Sequence, residues 1–246
     1  MKTVLITGCS SGFGLETARY FLDRGWSVIA TMRDPSDNLL PASDRLRVLA
    51  LDVTDAKSIR HVLEAAGPID VLVNNAGFGV GMPFELIAPQ LARQLFETNT
   101  IGTMAVTQAF LPQFRERRAG VIVNVTSSVT LKPLPLVSLY AASKAAVNTF
   151  TESMALELEP SNIRVRLVLP GRSPETKFAE NAHMDGLEHE AYAEVFQPML
   201  AGMTDESAPV TYASDVAEAV WRAATDPSSP MRIPAGADAI EWASAV

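Results

Sequence analysis

The stretch Thr3-Val4-Leu5-Ile6-Thr7-Gly8-Cys9-Ser10-Ser11-Gly12-Phe13-Gly14 decides the fold. Its first five residues are mostly aliphatic or β-branched and read as a buried strand. Three glycines follow, and then a helical pattern over Gly14–Arg24, apolar at Leu15, Ala18 and Leu22 and stopped by Gly25. Glycines at such a junction turn the chain tightly and let a pyrophosphate reach backbone N–H groups at the helix N-terminus. The spacing is Gly-x3-Gly-x-Gly, not the commoner Gly-x-Gly-x-x-Gly. Alone, the turn would also suit a merely compact junction; at the first strand–helix step it points to a dinucleotide. Cys9, the one cysteine of the chain, reads as small filler of this turn and not as a redox thiol.

Outward from this turn, further strand patterns fall at Ser27–Thr31, Arg47–Leu51, Asp70–Asn74, Val121–Thr126 and Arg164–Leu169. None shows strict polar alternation, as expected of strands covered on both faces. Helical patterns fall at Asp55–Ala66, at Gln90–Arg118 with breaks or kinks at Gly102 and Pro112, and at Leu139–Leu158 before Pro160. The alternation predicts an α/β fold: a single doubly wound parallel sheet, Rossmann-type, with helices on both faces. No linker or repeat divides residues 1–246, so one domain is expected. Residues 172–209, rich in Met, Phe and acidic side chains, interrupt the alternation after the sixth strand and read as a lid-like insertion.

The chain has 246 residues, 48% of them hydrophobic, and a formal charge of −8. That composition supports a large core. It speaks against a nucleic-acid partner, which would need a concentrated basic face. The apolar run at the N-terminus is too short for a signal peptide or a membrane span. A cytoplasmic location is the expectation.

The end of the second strand bears on cofactor choice. There an NAD site places a carboxylate for the adenosine ribose. Here Met32 falls at that position and Arg33 follows, with Ser11 as a second candidate donor for a 2′-phosphate. NADP(H) is therefore the expected cofactor. NAD(H) is the alternative, because a one-residue slip would bring Asp34 into play.

Tyr140 and Lys144 stand one helical turn apart just after a strand pattern ending at Thr126-Ser127-Ser128. An ammonium beside a phenol would lower its pKa from about 10 toward a useful range. The turn Thr7–Gly14, Asp52-Val53, Asn74-Asn75-Ala76-Gly77, Asn99, Ser127, Tyr140-x-x-x-Lys144 and Pro170-Gly171 occur in one order. Together they resemble the short-chain dehydrogenase/reductase family over almost the whole chain. The Ser–Tyr interval, 140 − 127 = 13, is the usual one in that family, so the resemblance implies Ser127 rather than Ser128.

The resemblance implies a proton exchanged between Tyr140 and the substrate oxygen. It also implies a Lys144 that holds the nicotinamide ribose, a Ser127 that orients the carbonyl, and an Asn99 that positions a proton supply. Cofactor contacts are implied for Gly8, Ser10, Ser11, Gly12, Phe13, Gly14, Asp52, Val53, Asn75, Ala76, Gly77, Pro170 and Gly171, while Asn74 would tie strands together. The family's threonine beyond Pro-Gly is displaced by one residue here, which leaves Thr176 or Ser173 for the nicotinamide carboxamide. The ending Arg232–Ala239 lacks the Gly-rich strand of many tetrameric members. Together with Thr7–Gly14 and Ala30–Pro35 it looks closer to the hydroxysteroid-dehydrogenase-like subgroup. A homodimer or homotetramer is the expected assembly.

Apolar candidates for the substrate wall are Phe78, Val80, Met82, Leu131, Leu134, Leu136 and Val137. The insertion adds Phe178, Met184, Leu187, Tyr192, Phe196, Met199 and Met203. They would suit a small hydrophobic carbonyl or alcohol, though residues at such spacing also pack ordinary cores. His183, His189, Asp185 and Glu188 match no ligand spacing, and no metal is expected. A carbonyl reductase or alcohol dehydrogenase is the leading reading; a cofactor-binding regulator, or a lyase or epimerase with a tightly held cofactor, are the others.

Overall fold

The structure is a computed structural model that describes residues 1–178, 180–187, 189–205 and 207–245, with the side chains at 203 and 204 left out of the description. Seven strands form one sheet: β1 (Thr3–Thr7), β2 (Ser27–Met32), β3 (Leu46–Ala50), β4 (Val71–Asn74), β5 (Gly120–Val125), β6 (Ile163–Pro170) and β7 (Arg232–Ala235). The order is β3-β2-β1-β4-β5-β6-β7, and every pair is parallel. The chain runs outward from β1 through β2 to β3, then returns to the other side of β1. Strand order therefore reverses between β1 and β4, and a crevice opens at their C-terminal ends.

The β1 residues show why strict polar alternation is missing. Val4 and Ile6 face one core and Leu5 the other, because successive side chains point to opposite faces. The first core holds α1 (Gly12–Asp23) and α7 (Ala213–Thr225), where Phe21 meets Trp26 and Trp221 edge-on at 5.1 and 5.0 Å. The second holds α2 (Ala56–Ala66), α4 (Thr103–Arg117) and α5 (Ser138–Leu158), with Phe110 and Phe114 at its centre. Asn74 ends β4, opposite Asn124 of β5. Its Nδ2 donates to Asn124 Oδ1 at 2.8 Å and to Thr107 Oγ1 at 2.9 Å, the cross-strand tie expected of it.

The long pattern at 90–118 divides as its glycine suggested. It becomes α3 (Pro89–Phe96), a π-helical turn (Glu97–Gly102) and then α4, while Pro112 stays inside α4. Four elements lie beyond the predicted ones. Strand β7 is short and contains Pro234, which a sheet edge tolerates because no neighbour needs its missing N–H. Helix α7 opens where the Asp215 carboxylate accepts the Tyr212 N–H at 2.9 Å. Beyond them lies α8 (Ala237–Ser244), and the 172–209 segment itself carries α6 (Ala193–Thr204).

Replacing Phe21 with Ala should cost about 3–5 kcal/mol of unfolding free energy, because it empties the space between two indoles. Urea unfolding followed by tryptophan emission measures this, and the native emission should shift as Trp26 and Trp221 lose their shared neighbour.

Candidate active site

A cleft of about 980 Å³ lies over the crevice, within the size range of small-molecule sites. Its floor is the turn after β1. Gly8 (φ +75°) approaches the backbone after β4 so closely that a Cβ there would lie 2.9 Å from Ala76 Cα. A Cβ on Gly14 would meet the Gly8 carbonyl oxygen at 2.2 Å, so Gly14 is needed to pack the helix under the turn. The Asn75 side chain donates to the carbonyls of Thr7 and Gly8 at 3.0 and 3.1 Å. Ser11, at the N-cap of α1, makes no side-chain bond to the helix, which leaves its first amides as donors for a ligand. These open amides and the glycine cradle fit a pyrophosphate.

At one end the cleft is walled by Met32, Arg33, Asp37, Leu51, Asp52, Val53 and Thr54. Asp34 is not on this wall: its carboxylate accepts Ser36 N and Oγ at 2.9 and 2.8 Å and caps the turn Pro35–Asp37. Asp52 accepts the Thr54 hydroxyl and N–H at 2.7 and 2.9 Å. Those two bonds, with a smaller contribution from Arg33, hold its carboxyl below the usual range.

At the other end stand Tyr140 and Lys144, both buried, on the first turns of α5. Burial pushes the Tyr140 phenol up to about 12, and a hydrogen bond from Ser127 offsets part of this. Burial brings Lys144 down to about 8. Its Nζ donates to the Val125 carbonyl at 3.1 Å and lies 6.0 Å from the Tyr140 ring centre. The expectation that the ammonium lowers the phenol pKa does not describe this free protein. At that separation desolvation dominates, and it favours the neutral form of each group.

Asn99 lies in the π-helical turn, behind the wall. It accepts the Phe78 N–H at 3.0 Å and donates to the Phe78 carbonyl at 2.9 Å and to Ser143 Oγ at 3.3 Å. It thus fixes the loop Gly77-Phe78 next to Lys144.

The wall includes Gly8, Ser10, Ser11, Gly12, Phe13, Arg33, Asp52, Val53, Asn75, Ala76, Gly77, Tyr140, Lys144 and Thr176, all singled out from the sequence. Gly14, Asn99, Ser127, Pro170 and Gly171 are not part of it. Thr176 comes within 3.7 Å of where a Gly12 Cβ would stand, and Ser173 keeps a buried hydroxyl with no partner. Arg93, Gln94, Glu97, Thr98, Asn181 and His183 also line the cleft and were missed. Their surface-helix and loop patterns carry no signal that a cleft passes them.

The 172–209 segment reaches the cleft through Phe178, whose ring lies 5.7 Å from that of Tyr140. His183 pairs by backbone with the loop after β4: Gly81 N donates to His183 O at 2.9 Å and His183 N to Gly79 O at 3.0 Å. Of the other apolar candidates, Val80 and Met82 are buried in a small core with Tyr140, and Leu131 lines a separate surface groove. The Met203 side chain and Glu188 lie outside the described residues. Among those described, no three His, Cys, Asp or Glu side chains are grouped to hold a metal, and no helix is long and apolar enough to cross a membrane.

Residues 2–185 match the family model described as short chain dehydrogenase. The chain belongs to the short-chain dehydrogenase family. This dehydrogenase is 38% identical over 201 residues to 3-ketodihydrosphingosine reductase of Bacteroides thetaiotaomicron, covering 79% of this chain and 73% of that one. A short-chain dehydrogenase structure from Streptomyces avermitilis superposes with a TM-score of 0.89 at 34% identity, covering 99% of this chain and 91% of its own. Two further structures carry cofactors and match with a TM-score of 0.80 each. One is a Burkholderia cenocepacia short-chain dehydrogenase with NADP, at 26% identity and 99% and 93% coverage. The other is a 3-ketoacyl-(acyl-carrier-protein) reductase of Brucella melitensis with NADH, at 28% identity and 95% and 96% coverage.

The buried Lys144 gives a pH signature. Between about 8 and its ordinary value of 10.5 the unfolded chain keeps a proton that the folded dehydrogenase has released, so this group makes stability rise with pH across that window. Tyr140 acts oppositely from 10 to about 12, where the folded state keeps the proton longer. Lys144→Met should therefore be most stabilising, relative to the parent, near pH 7, with the advantage shrinking from pH 8 to 10.5 in urea midpoints. Cys9 is buried and its thiol is pushed up to about 12. It should resist thiol reagents until the protein is unfolded.

Proposed function

We propose that this dehydrogenase interconverts a hydrophobic ketone or aldehyde and its alcohol, with NADP(H) as cofactor and Tyr140 as general acid/base. The observation that carries this reading is the cleft itself, which joins a glycine cradle with free helix amides to the buried Tyr140 and Lys144, with Ser127 hydrogen-bonded to the phenol. When bound, the dinucleotide supplies or accepts the hydride at the substrate carbon.

The protein's own residues do the rest. In the reducing direction the Tyr140 hydroxyl donates its proton to the substrate oxygen, and the Ser127 hydroxyl holds that oxygen in place. The phenol is protonated at neutral pH, so its proton is in place, and the apolar surroundings that raise its pKa hold that proton until a charge is brought in beside it. Lys144, anchored to the Val125 carbonyl, directs its remaining N–H bonds toward the ribose side of the cleft at Gly77. A Cβ there would lie 3.5 Å from Nζ. Asn99 keeps that loop in register. Arg33 lines the end of the cleft beyond β2, and the Asp34 carboxylate is taken up in capping the turn Pro35–Asp37, which supports NADP(H) over NAD(H). Phe78 and Phe178 supply apolar surface beside Tyr140, which supports a hydrophobic substrate.

An NADPH-consumption screen over aliphatic, aryl and steroid ketones tests the reading. Turnover should appear with NADPH, and Tyr140→Phe should lower kcat by about 10²–10⁴-fold while dinucleotide affinity is kept. A near-normal kcat in that variant would refute the assignment. Arg33→Ala should raise KM for NADPH about tenfold, the loss of a charge-assisted bond, and leave KM for NADH unchanged.

A further inference from the structure

The C-terminal ending that departs from the Gly-rich pattern places an aspartate where no solvent reaches it. Asp238, in the first turn of α8, is 4% exposed. Its Oδ2 accepts the Arg172 N–H and its Oδ1 the Thr211 hydroxyl, each at 2.6 Å. The Thr211 oxygen in turn accepts the Gly171 N–H at 3.0 Å, and the Thr211 N–H donates to the Arg172 carbonyl at 2.8 Å. Arg172 opens the inserted segment and Thr211 lies just beyond its end. One carboxylate therefore holds both stems, along with the turn that leaves β6.

Two glycines make this possible. A Cβ on Gly171 would lie 2.1 Å from both carboxylate oxygens, and one on Gly236 (φ +96°) would lie 2.0 Å from the Thr211 hydroxyl. A polar side chain this deeply buried persists only with such bonding. The carboxylate touches neither wall of the cleft, so its effect has to pass through the backbone it holds.

We infer that Asp238 is a positioning residue, which clamps the two stems of the 172–209 lid and the Gly171-Arg172 turn so that Thr176 and Phe178 stand against the cofactor and substrate. The effect on the bound dinucleotide rests on the proposed function; the clamp itself does not.

Two variants at Thr211, whose hydroxyl also lies 2.9 Å from the Ala235 carbonyl, test the clamp together with Asp238→Ala. Thr211→Val removes the hydroxyl that links the carboxylate to Gly171, and Thr211→Ser restores it. In the free protein, trypsin cleavage after exposed Lys177 should quicken about tenfold in Thr211→Val and in Asp238→Ala, the loss of one strong hydrogen bond, with Thr211→Ser at the parental rate. The Kd for NADPH, read by its fluorescence without substrate, should rise by a similar factor in the same two variants. Parental cleavage rates in both would overturn the clamp. So would faster cleavage that only tracks a lowered urea midpoint, or a failure of Thr211→Ser to rescue. A parent protein that binds no dinucleotide would overturn the proposed function, while the cleavage series still reads the clamp.

Discussion

The ends of β1 and β4 are held together by one hydroxyl. Thr7 Oγ1 accepts the N–H groups of Asn75 at 2.9 Å and Ala76 at 3.0 Å, and the Asn75 side chain returns bonds to the carbonyls of Thr7 and Gly8. Two loops that leave neighbouring strands would otherwise splay and expose unpaired backbone. Bound this way, they bring Gly8 against Ala76 and leave the first amides of α1 facing outward. The cradle, the loop at Gly77 and, through Asn99, the start of the π-helical turn all take their positions from this fastening.

The opposite end of the cleft depends on exclusion of water. Tyr140 sits against Phe178 and beside Val80 and Met82, Lys144 is buried one turn further along α5, and desolvation acts on both side chains at once. A phenol there holds its proton more tightly and an amine less tightly, so each resists charging alone. A cationic ring brought in beside them would change that balance in favour of phenolate. At neutral pH the phenol is therefore uncharged, while Lys144 still carries its proton until the pH passes about 8.

Much of this was legible in the sequence because the deciding residues are constrained by backbone geometry. Gly8, Gly12 and Gly14 stand where a Cβ or a negative φ would not fit, and the Tyr140–Lys144 spacing is the pitch of a helix. Five of the six predicted strands announced themselves as apolar runs because they lie inside the sheet and are largely buried, while β3 at the sheet edge did so although it is only partly covered. Strand β7 escaped because it is four residues long and carries Pro234 and Arg232. The electrostatics at Tyr140 escaped for a different reason, since a spacing of four residues fixes neighbourhood but not how much water surrounds it. Arg93, Asn181 and His183 reach the cleft by tertiary contact alone, and nothing local to their sequence marks them.

The join between His183 and the loop after β4 is made of main chain. Its two hydrogen bonds run from peptide to peptide, and Gly79 and Gly81 leave room for the rings and thioethers that lie across them. A seam of this kind does not read side chains. The identity of residues 178 and 184 can drift across generations while the attachment stays closed, so the cleft wall at Phe178 is free to diversify on a scaffold that has no need to be redesigned.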